Sequence, residues 1–288
     1  MKNIVVTGKD GQLGSEFQAL AAHFPEMNFH FSDYKELDIT NVDAVFGYFE
    51  EVQPDLVINC AAYTAVDKAE EDADKAEAVN ATGVKHLVEG CEKFGSRLIH
   101  ISTDYVFDGS KNVPYTEEDA VQPLGMYGET KRAGELAVLD SKIQALVLRT
   151  SWVYSSSGNN FVKTMLRLGA EREALGVVYD QAGSPTYARD LAVAILEIAQ
   201  KEEKWPDTTA LYHFSNEGAI SWFDFAVAIM EEGGLSCKVN PILSAEYPTP
   251  TARPHYSVLD KGAVKKDFGI EIPYWRVSLK ECITKLIK

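Results

Sequence analysis

Basic charge is scarce in this chain: 28 Lys and Arg stand against 43 Asp and Glu, a formal net charge of −15. No Lys/Arg cluster offsets that balance, so no nucleic-acid partner is expected. Long apolar runs are missing too. None approaches the ~18 residues that cross a bilayer, so no membrane partner is expected either. Cysteines number only 4. Cys60, Cys91, Cys237 and Cys282 lie far apart and form no metal-type pair, which fits reduced, packed thiols of a cytoplasmic protein. Met1-Lys2-Asn3 runs straight into the strand-like Ile4-Val5-Val6, without the apolar region of a secretory signal. Internal repeats and low-complexity tracts are absent. What is present is a core: 45% hydrophobic residues over 288 positions, enough for one large domain or a large one with a smaller cap.

The first third alternates strand and helix. Lys2 to Thr7 is β-branched and apolar, Gly8-Lys9-Asp10-Gly11-Gln12-Leu13-Gly14 follows, and Ser15 to His23 has helical character. Glycine lets a backbone turn tightly and approach a pyrophosphate, and the following helix offers free N–H groups there. Asp33 ends the next strand, 19 residues beyond Gly14, near where an acid bonds an adenosine ribose. The motif follows a strand, opens a helix and sits near the N-terminus, so it predicts dinucleotide binding through Gly8, Gly11, Gln12, Leu13, Gly14 and Asp33. Asp38-Ile39-Thr40-Asn41 reads as a loop with an N-cap before a helix over 41–52. Asp55–Cys60 is a third strand. Ala61 and Ala62 after it leave room for a ligand at a carboxyl strand end, or simply pack. Val66–Phe94 reads as one long helical region.

A fourth strand, Arg97–Ser102, ends in Ser102-Thr103-Asp104. Asp104–Leu124 is irregular, and a loop of that length is often functional. The predicted helix Gly125–Ser141 carries Tyr127-Gly128-Glu129-Thr130-Lys131. Residues four apart share a helix face, which sets the Lys131 ammonium beside the Tyr127 phenol. A phenol of pKa ~10 exchanges protons poorly at neutral pH, and a cation beside it is expected to pull that value down. Thr103 offers a hydroxyl to hold a substrate oxygen next to the phenol. A fifth strand, Ala145–Thr150, leads into Trp152, a core aromatic or a cleft wall. Strands alternating with helices predict a Rossmann-type, doubly wound parallel sheet over 1–150. Beyond 150 the pattern loosens into a smaller mixed α/β cap, with parts returning to the first domain. Asp180–Thr186 reads as a turn-rich loop and Tyr212–Ser215 as a short strand. The proline-rich 247–254 stretch crosses a surface or lines a cleft. Arg253 there is a diphosphate clamp or the partner of a surface acid.

These motifs resemble the extended short-chain dehydrogenase/reductase family: Gly8/Gly11/Gly14, Asn59–Thr64, Thr103 and Tyr127/Lys131 each fall on the expected element. Ala61–Glu70, Ser102–Gly109, Arg149–Tyr154, Asp180–Thr186 and Ala252-Arg253-Pro254 narrow the likeness to its dTDP-4-dehydrorhamnose reductases. The resemblance implies hydride transfer from NADPH or NADH to C4 of a dTDP-4-keto-sugar. It implies that Tyr127 protonates the C4 oxygen, that Thr103 bonds that oxygen, and that Lys131 holds the nicotinamide ribose. Asp38 and Ile39 would flank the adenine, and Ala61, Ala62 and Tyr63 the cofactor trough. Val66, Asp104, Tyr105 and Trp152 would face the sugar nucleotide. Two related folds imply other functions: the NADP-binding regulatory subunit of methionine adenosyltransferase and the nucleotide-sugar epimerases. Asp33 suits a ribose hydroxyl, whereas Lys9 or Lys35 suits a 2′-phosphate, so NADH and NADPH both stand. Some of these reductases dimerise through Mg²⁺ held by glutamates. Glu16 matches one such position, but Lys285 stands where another glutamate belongs, and a lysine cannot ligate Mg²⁺. A monomer or a metal-independent homodimer without Mg²⁺ is expected.

Overall fold

The computed structural model describes residues 1–287. Its strands are β1 (Lys2–Thr7), β2 (Met27–Ser32), β3 (Leu56–Asn59), β4 (Arg97–Thr103), β5 (Ala145–Thr150), β6 (Val153–Tyr154), β7 (Ala174–Val178), β8 (Ala182–Gly183), β9 (Thr186–Tyr187), β10 (Ala210–His213), β11 (Ile220–Ser221) and β12 (Lys238–Ile242). Its helices are α1 (Gln12–Leu20), α2 (Val42–Val52), α3 (Ala73–Glu77), α4 (Gly83–Phe94), α5 (Met126–Leu139), α6 (Phe161–Glu171), α7 (Ala188–Gln200), α8 (Trp222–Glu232), α9 (Gly262–Phe268) and α10 (Trp275–Leu286). Among the described residues, no helix is long and apolar enough to cross a membrane.

Six strands form one parallel sheet in the order β10-β5-β4-β3-β1-β2. Parallel strands buried on both faces read as unbroken apolar runs, and alternate residues face opposite layers. Ile4 and Val6 cluster with Phe17 of α1 and Leu191 and Ile195 of α7. Val5, between them, clusters with Val45 and Phe49 of α2 and Val84 and Leu87 of α4. Burying each such side chain is worth roughly 1.5–3 kcal/mol. The chain leaves β1 for β2 and then crosses back to β3. The flanking loops therefore part above the carboxyl ends of β1 and β3, where doubly wound sheets bind ligands.

The long helical region expected over Val66–Phe94 is present but not uniform, and residues 73–94 run without interruption. A 3₁₀ turn (Asp67–Glu70) precedes α3, and a single π turn (Ala78–Thr82) separates α3 from α4. The buried Asn80 lies in that turn and bonds outside its own helix. Asp180–Thr186 is more ordered than a loop, since it holds β8 and β9. Their two-residue pairings with β11 and β6 are too short to show a period in the sequence. The chain after 150 also adds α7 and β10 to the first layers. A second core gathers Val162 and Met165 of α6, Leu175 of β7, Phe225 and Ile229 of α8, and Leu279 and Ile283 of α10.

Candidate active site

A cleft of about 1110 Å³ opens above the carboxyl ends of the sheet strands. Gly8, Gly11, Gln12, Leu13 and Gly14 line it at one end. The three glycines are there for different reasons. Gly8 sits at φ +67°, a left-handed conformation, and a Cβ on Gly14 would stand 2.2 Å from the Gly8 carbonyl oxygen. Gly11 has φ −76° and ψ 174°, open to any residue. A Cβ there meets only the Gly8 oxygen, at a tight 3.2 Å, a far milder contact than at Gly14. Helix α1 begins beside it with no side-chain cap and no acid in its first turn, which leaves its N–H groups for an anion. The loop therefore fits a dinucleotide pyrophosphate.

Asp33 follows directly after β2 and lines the same cleft, as do Asp38 and Ile39. One Asp33 oxygen accepts from the Tyr34 amide at 2.7 Å and the other from the Asp10 amide at 3.2 Å. Ala61, Ala62 and Tyr63 follow β3 into the cleft. Beneath them, Thr7 Oγ1 donates to Asn59 Oδ1 at 2.7 Å, and Asn59 Nδ2 lies 3.0 Å from His100 Nδ1. This buried network ties β1, β3 and β4 together at their carboxyl ends.

Thr103, Tyr127 and Lys131 converge on the cleft wall. Thr103 ends β4, caps the next turn through the Tyr105 amide, and donates to Asp104 Oδ1 at 3.1 Å. Lys131 is 2% exposed and donates to the Ile101 carbonyl at 2.7 Å. Burial pushes its pKa down to about 8, while the Glu135 carboxylate one turn on resists that fall. The expected pull of Lys131 on the phenol is not what this geometry gives. Burial pushes Tyr127 up to about 12, with Thr103 acting the other way and the Asp104 carboxyl adding to the rise, while the Lys131 ammonium donates to a backbone carbonyl. Gly128 lets α5 approach: a Cβ there would lie 2.3 Å from the Tyr105 carbonyl oxygen.

The far side of the cleft carries Val66, Asp104, Tyr105 and Trp152. Asp104 is 1% exposed, and burial pushes its pKa up to about 6 against the bonds from Ser257 and Thr103 that act the other way. Trp152 adopts φ 49°, rare for a bulky residue. It stacks on Trp222 of α8 with ring centroids 3.6 Å apart, so it is a cleft wall and not a core aromatic. Arg253 stands apart from this group. It is not among the cleft-lining residues; it donates to Asp67 Oδ2 at 2.8 Å and to the Thr251 carbonyl at 3.0 Å.

A family model described as RmlD substrate binding domain matches residues 1–288. The dTDP-4-dehydrorhamnose reductase of Aggregatibacter actinomycetemcomitans is 42% identical across 97% of this chain and 98% of its own length. The solved dTDP-4-dehydrorhamnose reductase of Clostridium acetobutylicum superposes with a TM-score of 0.94 at 42% identity, covering 99% of this chain and 100% of that one. The chain belongs to the dTDP-4-dehydrorhamnose reductase family. It is thereby an oxidoreductase of the extended short-chain dehydrogenase/reductase fold. A further member, from Bacillus anthracis, was solved in complex with NADP. It superposes at 0.93 and 38% identity, covering 99% of each chain.

Sequence reasoning passed over several residues that shape this reductase fold's cleft. Asn80 accepts from the Tyr63 amide at 2.9 Å and donates to the Tyr63 carbonyl at 3.1 Å and to Thr130 Oγ1 at 3.2 Å. It thus joins the cofactor-side loop to the helix of Tyr127. An asparagine inside an Ala- and Glu-rich helix was the available signal, since such residues favour bonds outside the helix ladder. Glu135 and Arg149 form a buried pair under α5, with Nε to Oε1 and Nη2 to Oε2 both at 2.7 Å. Trp222 carried no local signal; its partner lies 70 positions away in the chain. Glu16, singled out as a metal position, is buried and faces the Arg189 guanidinium at 3.6 Å. Lys285 bonds Glu281 and the Tyr187 hydroxyl.

Proposed function

We propose that the chain reduces the C4 ketone of dTDP-4-dehydro-L-rhamnose to dTDP-L-rhamnose, using NADPH or NADH. The observation that carries this reading is the meeting of Thr103, Tyr127 and Lys131 in the cleft that the glycine loop opens. A bound nicotinamide supplies the hydride to C4. The phenol of Tyr127, held neutral by its raised pKa, gives its proton to the C4 oxygen as charge develops there. The Thr103 hydroxyl donates to the same oxygen. Lys131 holds the nicotinamide ribose and stabilises the phenolate that is left.

The loop of Gly8, Gly11, Gln12, Leu13 and Gly14 would cradle the pyrophosphate, Asp33 a ribose hydroxyl, and Asp38 and Ile39 the adenine. Ala61, Ala62 and Tyr63 would line the trough between. Val66, Asp104, Tyr105 and Trp152 would hold the sugar nucleotide against the cap formed mainly after residue 150. Arg253 would exchange Asp67 for the substrate diphosphate, since a guanidinium binds phosphate oxygens in pairs. A monomer or metal-independent dimer fits Glu16 being paired with Arg189. The intact Thr103, Tyr127 and Lys131 favour a catalyst over a dinucleotide-binding regulatory subunit.

The test is cofactor oxidation with the dTDP-4-keto-sugar. Steady consumption of one hydride per sugar supports the reductase; an epimerase would keep its cofactor through both half-reactions. Tyr127→Phe should fold and bind cofactor yet turn over ~10²-fold more slowly or worse. Arg253→Ala should raise KM for the sugar nucleotide and leave cofactor affinity alone. Near-normal turnover of the first variant removes Tyr127 as the acid, and an unchanged KM in the second removes Arg253 from the site.

A further inference from the structure

The adenosine end of the cleft carries a charge arrangement that the proposed function leaves unexplained. Lys9 lies inside the glycine loop, one residue beyond Gly8, and is the cation nearest to Asp33 in that loop. Its Nζ bonds Glu36 Oε1 at 2.6 Å. The other Glu36 oxygen accepts from the Asp33 amide at 2.9 Å, so both carboxylate oxygens are engaged and the acid is fixed in the turn after β2. The Lys9 backbone is fixed as well: its amide donates to the Ser32 carbonyl at 3.1 Å, and Gln18 Nε2 donates to its carbonyl at 2.7 Å. Three carboxylates, Asp10, Asp33 and Glu36, act on this one ammonium and raise its pKa, the Glu36 bond most of all.

An adenosine ribose held by Asp33 presents either a 2′-hydroxyl or a 2′-phosphate at this spot. The hydroxyl can donate to the Asp33 carboxylate. The phosphate is a dianion with no proton to offer; it meets the Asp33 carboxylate, while the one ammonium of the glycine loop is engaged by Glu36 and neither Lys9 nor Lys35 lines the cleft. We infer that this chain selects NADH over NADPH, and that Glu36 sets the preference by holding Lys9 out of reach of a 2′-phosphate. The inference rests on the dinucleotide site proposed above. The NADP complex belongs to the Bacillus anthracis protein; the Lys9–Glu36–Asp33 arrangement is that of this chain.

The experiment titrates NADH and NADPH separately into the full chain, without sugar, and follows nucleotide fluorescence. The wild-type Kd for NADPH should exceed that for NADH by about tenfold at low salt, and the gap should narrow as ionic strength rises. Glu36→Gln releases Lys9. It should tighten NADPH to within about threefold of NADH while moving NADH by less than about twofold. Lys9→Ala added to Glu36→Gln should abolish that gain. Equal or tighter NADPH binding by the wild type overturns the inference, and so does an unchanged NADH-to-NADPH ratio in Glu36→Gln. A gain that survives in the double variant removes Lys9 from the explanation and overturns it as well. Failure of both nucleotides to bind would instead bring down the dinucleotide site itself.

Discussion

Replacing Glu135 by Gln removes one charge from a pair that solvent does not reach. Glu135 is 0% and Arg149 1% exposed, and the two make parallel bonds of 2.7 Å each. Arg132 adds a third bond to Glu135 at 2.8 Å. The Arg149 Nη1 already lacks a partner, and its guanidinium lies 5.0 Å from the Phe107 ring centre, so the neutral amide that Glu135→Gln introduces leaves a buried cation with no counter-charge. Breaking such a pair from one side costs about 3–5 kcal/mol, which lowers Tm by roughly 10 °C in a domain of this size. The Glu135 pKa is held below its ordinary 4.5, with the Arg149 bond opposing the burial that acts against it. Its charge therefore stabilises the fold above that pH, and the contribution fades as pH falls through the lowered value. The gap between wild type and Glu135→Gln should accordingly be full at pH 7 and shrink on acidification. Removing both charges, as in Glu135→Leu with Arg149→Met, should recover much of the loss. A catalytic readout separates this from simple destabilisation. Glu135 resists the fall of the Lys131 pKa, which stands at about 8, so its loss should move the alkaline limb of kcat to lower pH. Thermal melts and a pH–rate profile together decide the matter. A Glu135→Gln protein within about 1 kcal/mol of wild type, or a double variant no better than the single, refutes the reasoning.

Gly11→Val should lower Tm modestly, since its Cβ stands 3.2 Å from the Gly8 oxygen, and should lose the rise that NADH gives; Gly14→Ala should lose far more stability, and a ligand response intact in Gly11→Val would place the pyrophosphate elsewhere. Asp104→Asn should raise Tm at pH 8 and scarcely change it near pH 4: the folded pKa of about 6 lies above the ordinary 3.8, so ionisation of this buried carboxyl destabilises the fold as pH climbs through that window. The same variant should lose affinity for the sugar nucleotide, and an unaltered Tm at pH 8 would count against the buried charge. Gel filtration with and without a chelator should give one elution volume; chelator-sensitive dissociation would restore a metal to the interface.

Features set by neighbouring residues were legible. The strand, the three glycines and the helix after them lie within 20 residues, although the backbone that crowds Gly8, at Cys60 and Ala61, comes from β3's end far along the chain. The helix of Tyr127 and Lys131 and the strand end at Thr103 were equally local. Asn41 and Ser221 cap their helices where short polar residues precede apolar runs. What escaped depends on partners far along the chain. Trp222 becomes a cleft wall only because Trp152 stacks on it. The partner of Arg253, Asp67, lies 186 positions away. The π turn in the long helix lies where Asn80 reaches Tyr63 and Thr130, which no periodicity encodes.

The electrostatics of the proposed catalytic pair, Tyr127 and Lys131, fall between these cases. Four-residue spacing fixes where the Lys131 stem begins but not where its ammonium ends. The Ile101 carbonyl comes from the adjacent strand and captures it. Burial then governs both groups, and it drives them toward their neutral forms: the phenol up to about 12 and the ammonium down to about 8. That direction suits reduction. A proton donor must still hold its proton when the hydride arrives, and a phenol depressed toward neutral pH would have surrendered part of it to water. The return reaction needs a phenolate, which this environment disfavours without a fully charged Lys131 beside it. If the proposed roles hold, Glu135 would act on the chemistry from outside the cleft, by keeping positive charge on the lysine that stabilises the spent acid.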